Sequence, residues 1–183
     1  MTVPVLMPHQ RDHFELIKKS NHKIDLDKLI DAINNIPPDF KEDQLSLQMR
    51  KETEDPWYEG CGQFNSLPEG VEADYNLIIP ELKGTYIEEM FLSLPFKPFR
   101  SRLMQMQRKS CYSIHADWEA RYHIAIFTNP LAKFIFTEKE RVFHIPADGY
   151  LYWVDTREEH TVINGTLKEN EKRLHLVMGI QNQ

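Results

Sequence analysis

From Phe99 onward the sequence leaves little choice but a β-protein. The runs "RLMQMQR", "YSIHAD", "RYHIAIF", "KFIFT", "RVFHIP", "YLYWVD", "HTVIN" and "RLHLVMGI" follow one another, each short and rich in β-branched, aromatic or apolar residues. Turn material separates them: Asn129-Pro130, Glu138 to Glu140, Ala147-Asp148-Gly149, Thr156 to Glu159, and Gly165 to Lys172. Short strands at such close, even spacing point to a closed barrel or a double-sheet jelly roll. The expected fold class is therefore mainly β, a barrel or jelly roll, with supporting N-terminal α-helices.

The first half supplies that support. "KIDLDKLIDAINNIPPDF" sets Ile24, Leu26, Leu29, Ile30, Ile33 and Ile36 at helical spacing, and Pro37-Pro38 stops the run. "DQLSLQMR" alternates Leu45, Leu47 and Met49 with polar neighbours, as a half-buried strand does. Pro56 to Asp74 reads as loop, long enough to serve as a lid or a peptide-binding edge. "GTYIEEMFLSL" reads as a second helix, ended by Pro95 and Pro98. A chain of 183 residues suits one domain. Residues 1–98 are expected to be helical and loop support, and 99–183 the jelly-roll core.

Formal net charge is −6, which argues against nucleic acid as a partner, because that needs a basic face to displace counterions. The local exception is Arg100, Arg102, Arg108 and Lys109, read as a solvated surface in preference to an anion site. Two cysteines make no disulfide framework, so a reducing, cytoplasmic setting is expected. The first residues lack the continuous apolar stretch of a signal peptide, and no run approaches the roughly 18 apolar residues of a membrane span. Oligomeric state is left open.

The chemistry concentrates in "SIHADWEARYHIAIF". On a strand, residues two apart share a face, so His115 pairs with Asp117 and Arg121 with His123. A turn near Trp118-Glu119-Ala120 would set the two pairs side by side. Polar groups inside a barrel are costly unless something satisfies them. A divalent metal would satisfy His115 and Asp117, and an anion would satisfy Arg121 and His123. His160, just after "YLYWVDTREE", offers a third ligand. Two imidazoles and one carboxylate make the facial triad of non-haem Fe(II) oxygenases, which leaves three positions open. Arg173 follows at the start of the last β-run. Its planar fork suits the far carboxylate of an anionic cosubstrate.

"HAD…RYH…DGYLYWVDTREEHTVIN…RLHLV" resembles the aspartyl/asparaginyl β-hydroxylase family of Fe(II)/2-oxoglutarate-dependent oxygenases, over about Arg102 to Ile180. The resemblance implies a cupin-like jelly roll, a double-stranded β-helix. It implies His115, Asp117 and His160 as catalytic iron ligands, with Fe(II) as cofactor and 2-oxoglutarate as cosubstrate. It implies Arg173 on the distal carboxylate of 2-oxoglutarate, His123 near the carboxylate at the iron end, and Arg121 toward cosubstrate or substrate. It implies O2 as co-reactant and an amino acid, peptide or protein as substrate. The sequence departs from the pattern in a longer stretch between His160 and Arg173. It also has Met104 where those enzymes carry a hydroxyl donor beside the arginine.

Other features have plainer readings. His175 reads as structural or surface, and His9, His13 and His22 as solvated. Trp118 and Trp153 read as core or pocket wall, and Tyr112 and Tyr122 as cleft or core. A rival reading is a non-oxygenase cupin, since His160 and Asn164 stand four apart after a Pro and a Gly. It lacks the H-x-H that cupins bring to the metal. A non-catalytic 2-oxoglutarate sensor is a third reading.

Overall fold

The computed structural model describes residues 15–37, 40, 43–62 and 71–180. The first part of the chain holds β1 (Ile17–Lys23), α1 (Leu26–Asn34), β2 (Gln44–Ser46), β3 (Gln48–Met49), β4 (Leu77–Ile78), α2 (Tyr86–Ser93) and β5 (Pro98–Met106). Then come β6 (Ser110–Cys111), β7 (Arg121–Phe127), β8 (Ala132–Phe136), β9 (Arg141–Phe143), β10 (Tyr150–Val154), β11 (His160–Asn164) and β12 (Arg173–Ile180). Single 3-10 turns stand at Val71–Asp74 and Pro80–Leu82. No helix among the described residues is long and apolar enough to cross a membrane.

The strands form a large antiparallel sheet in the order β1-β10-β7-β12-β5-β2 and a small one in the order β6-β11-β8-β9. From β7 to β12 the chain passes back and forth between them: large, small, small, large, small, large. This is the jelly roll expected of the sequence, mainly β with two helices in support.

Two apolar layers hold it together. One face of the large sheet presents Leu103, Ile124, Leu151, Leu174, Leu176 and Met178 to Leu29 of α1 and to Ile87 and Met90 of α2. The other face turns Met106, Ala125, Tyr152 and Val154 toward Phe134, Phe136 and Val162 of the small sheet. β12 is thus covered on both sides, and seven of its eight residues are buried. A strand buried on both faces reads as a nearly continuous apolar run, as "RLHLVMGI" does.

The helices start where the local chemistry directs. The Asp25 side chain accepts from the Lys28 N–H at 3.1 Å and caps α1, and Thr85 accepts from the Ile87 N–H at 3.2 Å and caps α2. Pro95 shortly follows the end of α2, as the sequence requires.

Four expectations need correction. The first half is more than helical and loop support, since β1 and β2 form the two edges of the large sheet. Leu47 is a bend between β2 and β3, and Ser46 and Gln48 are as buried as the leucines beside them, so the segment is covered on both sides. Arg100 and Arg102 are not solvated surface: they are 4% and 7% exposed. Of the histidines read as solvated, His22 is half-buried in β1, and His9 and His13 lie outside the described residues, as do Pro38 and residues 63–70 of the expected loop.

Gly179 marks a close approach within this sheet. A Cβ there would lie 2.3 Å from a ring carbon of Phe99, which is itself buried. Gly179→Ala is expected to cost about 1–3 kcal/mol through overpacking, read as a lower urea midpoint. An unchanged midpoint would show that the Phe99 ring moves aside freely.

Candidate functional site

The segment 112–120 leaves the small sheet and enters the large one, which explains why its polar residues lie so close together. His115 still belongs to the small sheet's edge. It faces His160 in an isolated antiparallel bridge, with His115 N–H to His160 O at 3.0 Å and His160 N–H to His115 O at 2.9 Å. Asp117 is held by its own N–H on Thr156 O at 2.8 Å. Arg121 and His123 then stand on β7, alternating with Tyr122 and Ile124 on the opposite face.

The backbone bridge brings the two imidazoles together, with ring centroids 4.6 Å apart. Each is oriented in the same way. His115 Nδ1 lies 2.8 Å from Ser113 O, and His160 Nδ1 lies 2.9 Å from Glu158 O. A carbonyl only accepts, so Nδ1 carries the proton in each neutral ring and Nε2 keeps its lone pair. Burial holds His160 below the ordinary histidine range, which favours that neutral form.

Asp117 lies in the same cavity, but its Oδ2 accepts from Arg121 Nε at 3.4 Å. Burial pushes the Asp117 carboxyl up; Arg121 above all, then His160, Arg102 and His115, hold it below its ordinary value. Among the described residues no three His, Cys, Asp or Glu side chains converge into a ready ligand cluster. The donors suit a divalent metal in type and in orientation: two imidazoles whose Nε2 atoms face away from their carbonyl partners, and one ionised carboxylate.

The cavity has a volume of about 360 Å³. Its charged lining among the described residues comprises four guanidiniums, Arg100, Arg102, Arg121 and Arg173, and two carboxylates, Glu72 and Asp117. An acidic protein thus encloses a cationic pocket. Glu72 was not legible as a site residue. It bridges Arg100 and Arg121, taking one on each carboxylate oxygen. Arg121, expected to face a ligand, is instead clasped by Glu72 and Asp117, and these carboxylates raise it further despite its burial.

Arg173 is where the sequence placed it, at the start of β12, and is 2% exposed. It has no carboxylate partner among the described residues. Its Nη2 donates to His175 Nδ1 at 3.0 Å, and its guanidinium lies 5.3 Å from the centre of the Phe134 ring. Burial pulls Arg173 down to about 10, opposed by the nearby Tyr112, so it stays charged at neutral pH. His175 is thus buried structure, and it orients Arg173. His123 sits beyond, buried, with neither ring nitrogen partnered among the described residues, and burial followed by Arg173 holds it well below the ordinary range. The Tyr112 hydroxyl is also buried with no partner among the described residues. Tyr112 lines the cavity beside Arg173, where Met104 could not supply a hydroxyl.

Several other expectations resolve simply. Tyr122 stacks on Phe96 at 4.5 Å, away from the cavity. Trp118 lines the mouth at 40% exposure, and Trp153 is half-buried beneath Lys18. Asn164 bonds Asn129, Met106 O and Glu171 O, which makes it a strut and no part of a cupin-type metal motif.

No family model matches this chain, and no curated protein matches it. Among solved structures it is similar to an oxidoreductase of the 2OG-Fe(II) oxygenase family from Burkholderia pseudomallei. The identity is 18%, the likeness covers 84% of this chain and 76% of that one, and the TM-score is 0.49. Such a distant likeness carries no assignment; the geometry has to.

Proposed function

We propose that the chain is an Fe(II)/2-oxoglutarate-dependent dioxygenase. In this reading it hydroxylates an unactivated C–H bond of an amino acid, or of an Asp/Asn-type side chain in a peptide, and releases succinate and CO2. The observation that carries the proposal is the bridge between His115 and His160: two available Nε2 atoms side by side, in one cavity with Asp117 and with Arg173, a buried cation that no acid among the described residues neutralises.

His115, Asp117 and His160 would hold the iron. When bound, Fe(II) with 2-oxoglutarate and O2 supplies the oxidising power for C–H hydroxylation. The chain's own contribution is positioning. Arg173, oriented by His175, grips the distal carboxylate with two parallel donors. Tyr112 offers that carboxylate a further O–H donor. His123, neutral and unpartnered, offers a ring N–H to the carboxylate nearer the metal. Arg121 spreads its charge over Glu72 and Asp117 and so sets where the Asp117 carboxylate stands. The apolar walls Phe134 and Val162 keep the pocket dry around these groups.

The test is Fe(II)-dependent conversion of 2-oxoglutarate to succinate by the purified protein. No turnover and no 2-oxoglutarate binding would reject the proposal. Arg173→Ala is expected to raise the Michaelis constant for 2-oxoglutarate roughly ten- to a hundredfold, since a buried charged hydrogen-bond partner is lost. An unchanged constant would move the anchor to another cation.

A further inference from the structure

In the reading above, both carboxylates of the cosubstrate are accounted for, one at the metal and one at Arg173. That leaves Arg102. It is 7% exposed, it lines the cavity, and it has no carboxylate partner among the described residues. Its Nη1 donates to Gln44 Oε1 at 3.1 Å and, more weakly, to Gly62 O at 3.4 Å, while its Nε is buried with no partner among the described residues. A guanidinium so largely buried, with no carboxylate paired to it among the described residues, is carried at a cost in stability.

Arg102 and Arg173 are separate poles of the pocket. Arg102 lies directly across from Val177 on β12, and Val177 is four residues along that strand from Arg173. At the rise of a strand this is about 13 Å. Arg102 stands nearest Arg121, Glu72 and Asp117, whose charges it feels most, while Tyr112 feels Arg173 first and Arg102 second and so lies between the two. Arg121 cannot serve as the second pole, because Glu72 and Asp117 already hold it. Gln44 completes the pole: its Oε1 is taken by Arg102 and by the Gly62 N–H, so its amide N–H2 remains to donate.

We propose that Arg102, with the Gln44 amide, is a second anion subsite, and that the substrate of this pocket is a small molecule or residue carrying a carboxylate that seats there. The proposal rests on the oxygenase reading for the word substrate, and on Arg102 alone for the subsite. The carboxylate would neutralise the unpaired guanidinium and fix which carbon lies beside His115, Asp117 and His160.

The probe is malonate, with its neutral diamide and matched sodium chloride as controls, read by thermal shift and calorimetry on the Zn(II)-loaded protein saturated with 2-oxoglutarate. Malonate is expected to stabilise the wild type and the Arg173→Gln variant, and the diamide to do neither. Arg102→Gln is expected to weaken malonate roughly ten- to a hundredfold while 2-oxoglutarate affinity stays within about twofold. Without ligand, Arg102→Gln should melt no lower than wild type, because an unpaired buried charge has been removed. Three results would overturn the subsite: no malonate shift beyond the salt control, a tenfold loss of 2-oxoglutarate in Arg102→Gln, or a lower melting point of that variant without ligand. If 2-oxoglutarate fails to bind even the wild type, the oxygenase reading falls. Arg102 is then judged on the malonate response of Arg173→Gln alone.

Discussion

His160→Ala is expected to abolish Fe(II)-dependent succinate formation while the protein remains folded. The backbone bridge with residue 115 does not depend on the side chain, so the two strands still meet. What disappears is one of two oriented Nε2 donors. The loss in metal affinity should exceed the roughly 10- to 100-fold that follows removal of a mere outer partner of a ligand. His115→Ala should behave alike. Equilibrium dialysis with Fe(II) and a far-UV melt check both halves of the expectation. A variant that keeps wild-type metal affinity would remove these histidines from the site, whatever happened to turnover.

Glu72→Ala is expected to show the largest effect on stability. It strips a carboxylate from two guanidiniums at once, Arg100 at 4% exposure and Arg121 at 2%. Breaking a buried pair from one side typically costs about 3–5 kcal/mol, because the charge left behind is desolvated. Arg121 would still have Asp117, and would draw on it more strongly. The variant should therefore also bind metal more weakly, by competition for that carboxylate. Urea unfolding gives the first quantity and dialysis the second. A loss below about 1 kcal/mol would mean that water replaces Glu72 without penalty, the regime of surface pairs.

The sequence was legible where a residue's neighbours along the chain decide its fate. β7, β10, β11 and β12 are apolar on at least one face, and their turns carry Gly, Pro, Asn or Asp. The spacing of His115, Asp117, Arg121 and His123 showed at once that these four share a small region. β1 was missed because "IKKSNHK" lies at a sheet edge and is largely solvated, so it has no apolar period to read. Arg100 and Arg102 were misread because a charge in the sequence looks the same whether water or a distant carboxylate answers it. Their answer comes from Glu72 and Gln44, 28 and 58 positions away. One local hint existed: Arg102 shares its face with Met104 and Met106 on a run whose other face carries Leu103, so it had to point somewhere enclosed. His175 was equally hidden, since its partner Arg173 sits two residues away on the same face but was read without it.

The crossing of segment 112–120 between the sheets has a mechanical consequence. His115 and His160 ride on the small sheet, whereas Arg173, His123 and Arg102 ride on the large one. Anything gripped by both sets becomes a rivet through the two walls of the barrel. Their separation is then set by the length of the guest, and the walls cannot part until it leaves. Occupancy should accordingly slow amide exchange in β11 and β12 together, as if two plates had been bolted into one.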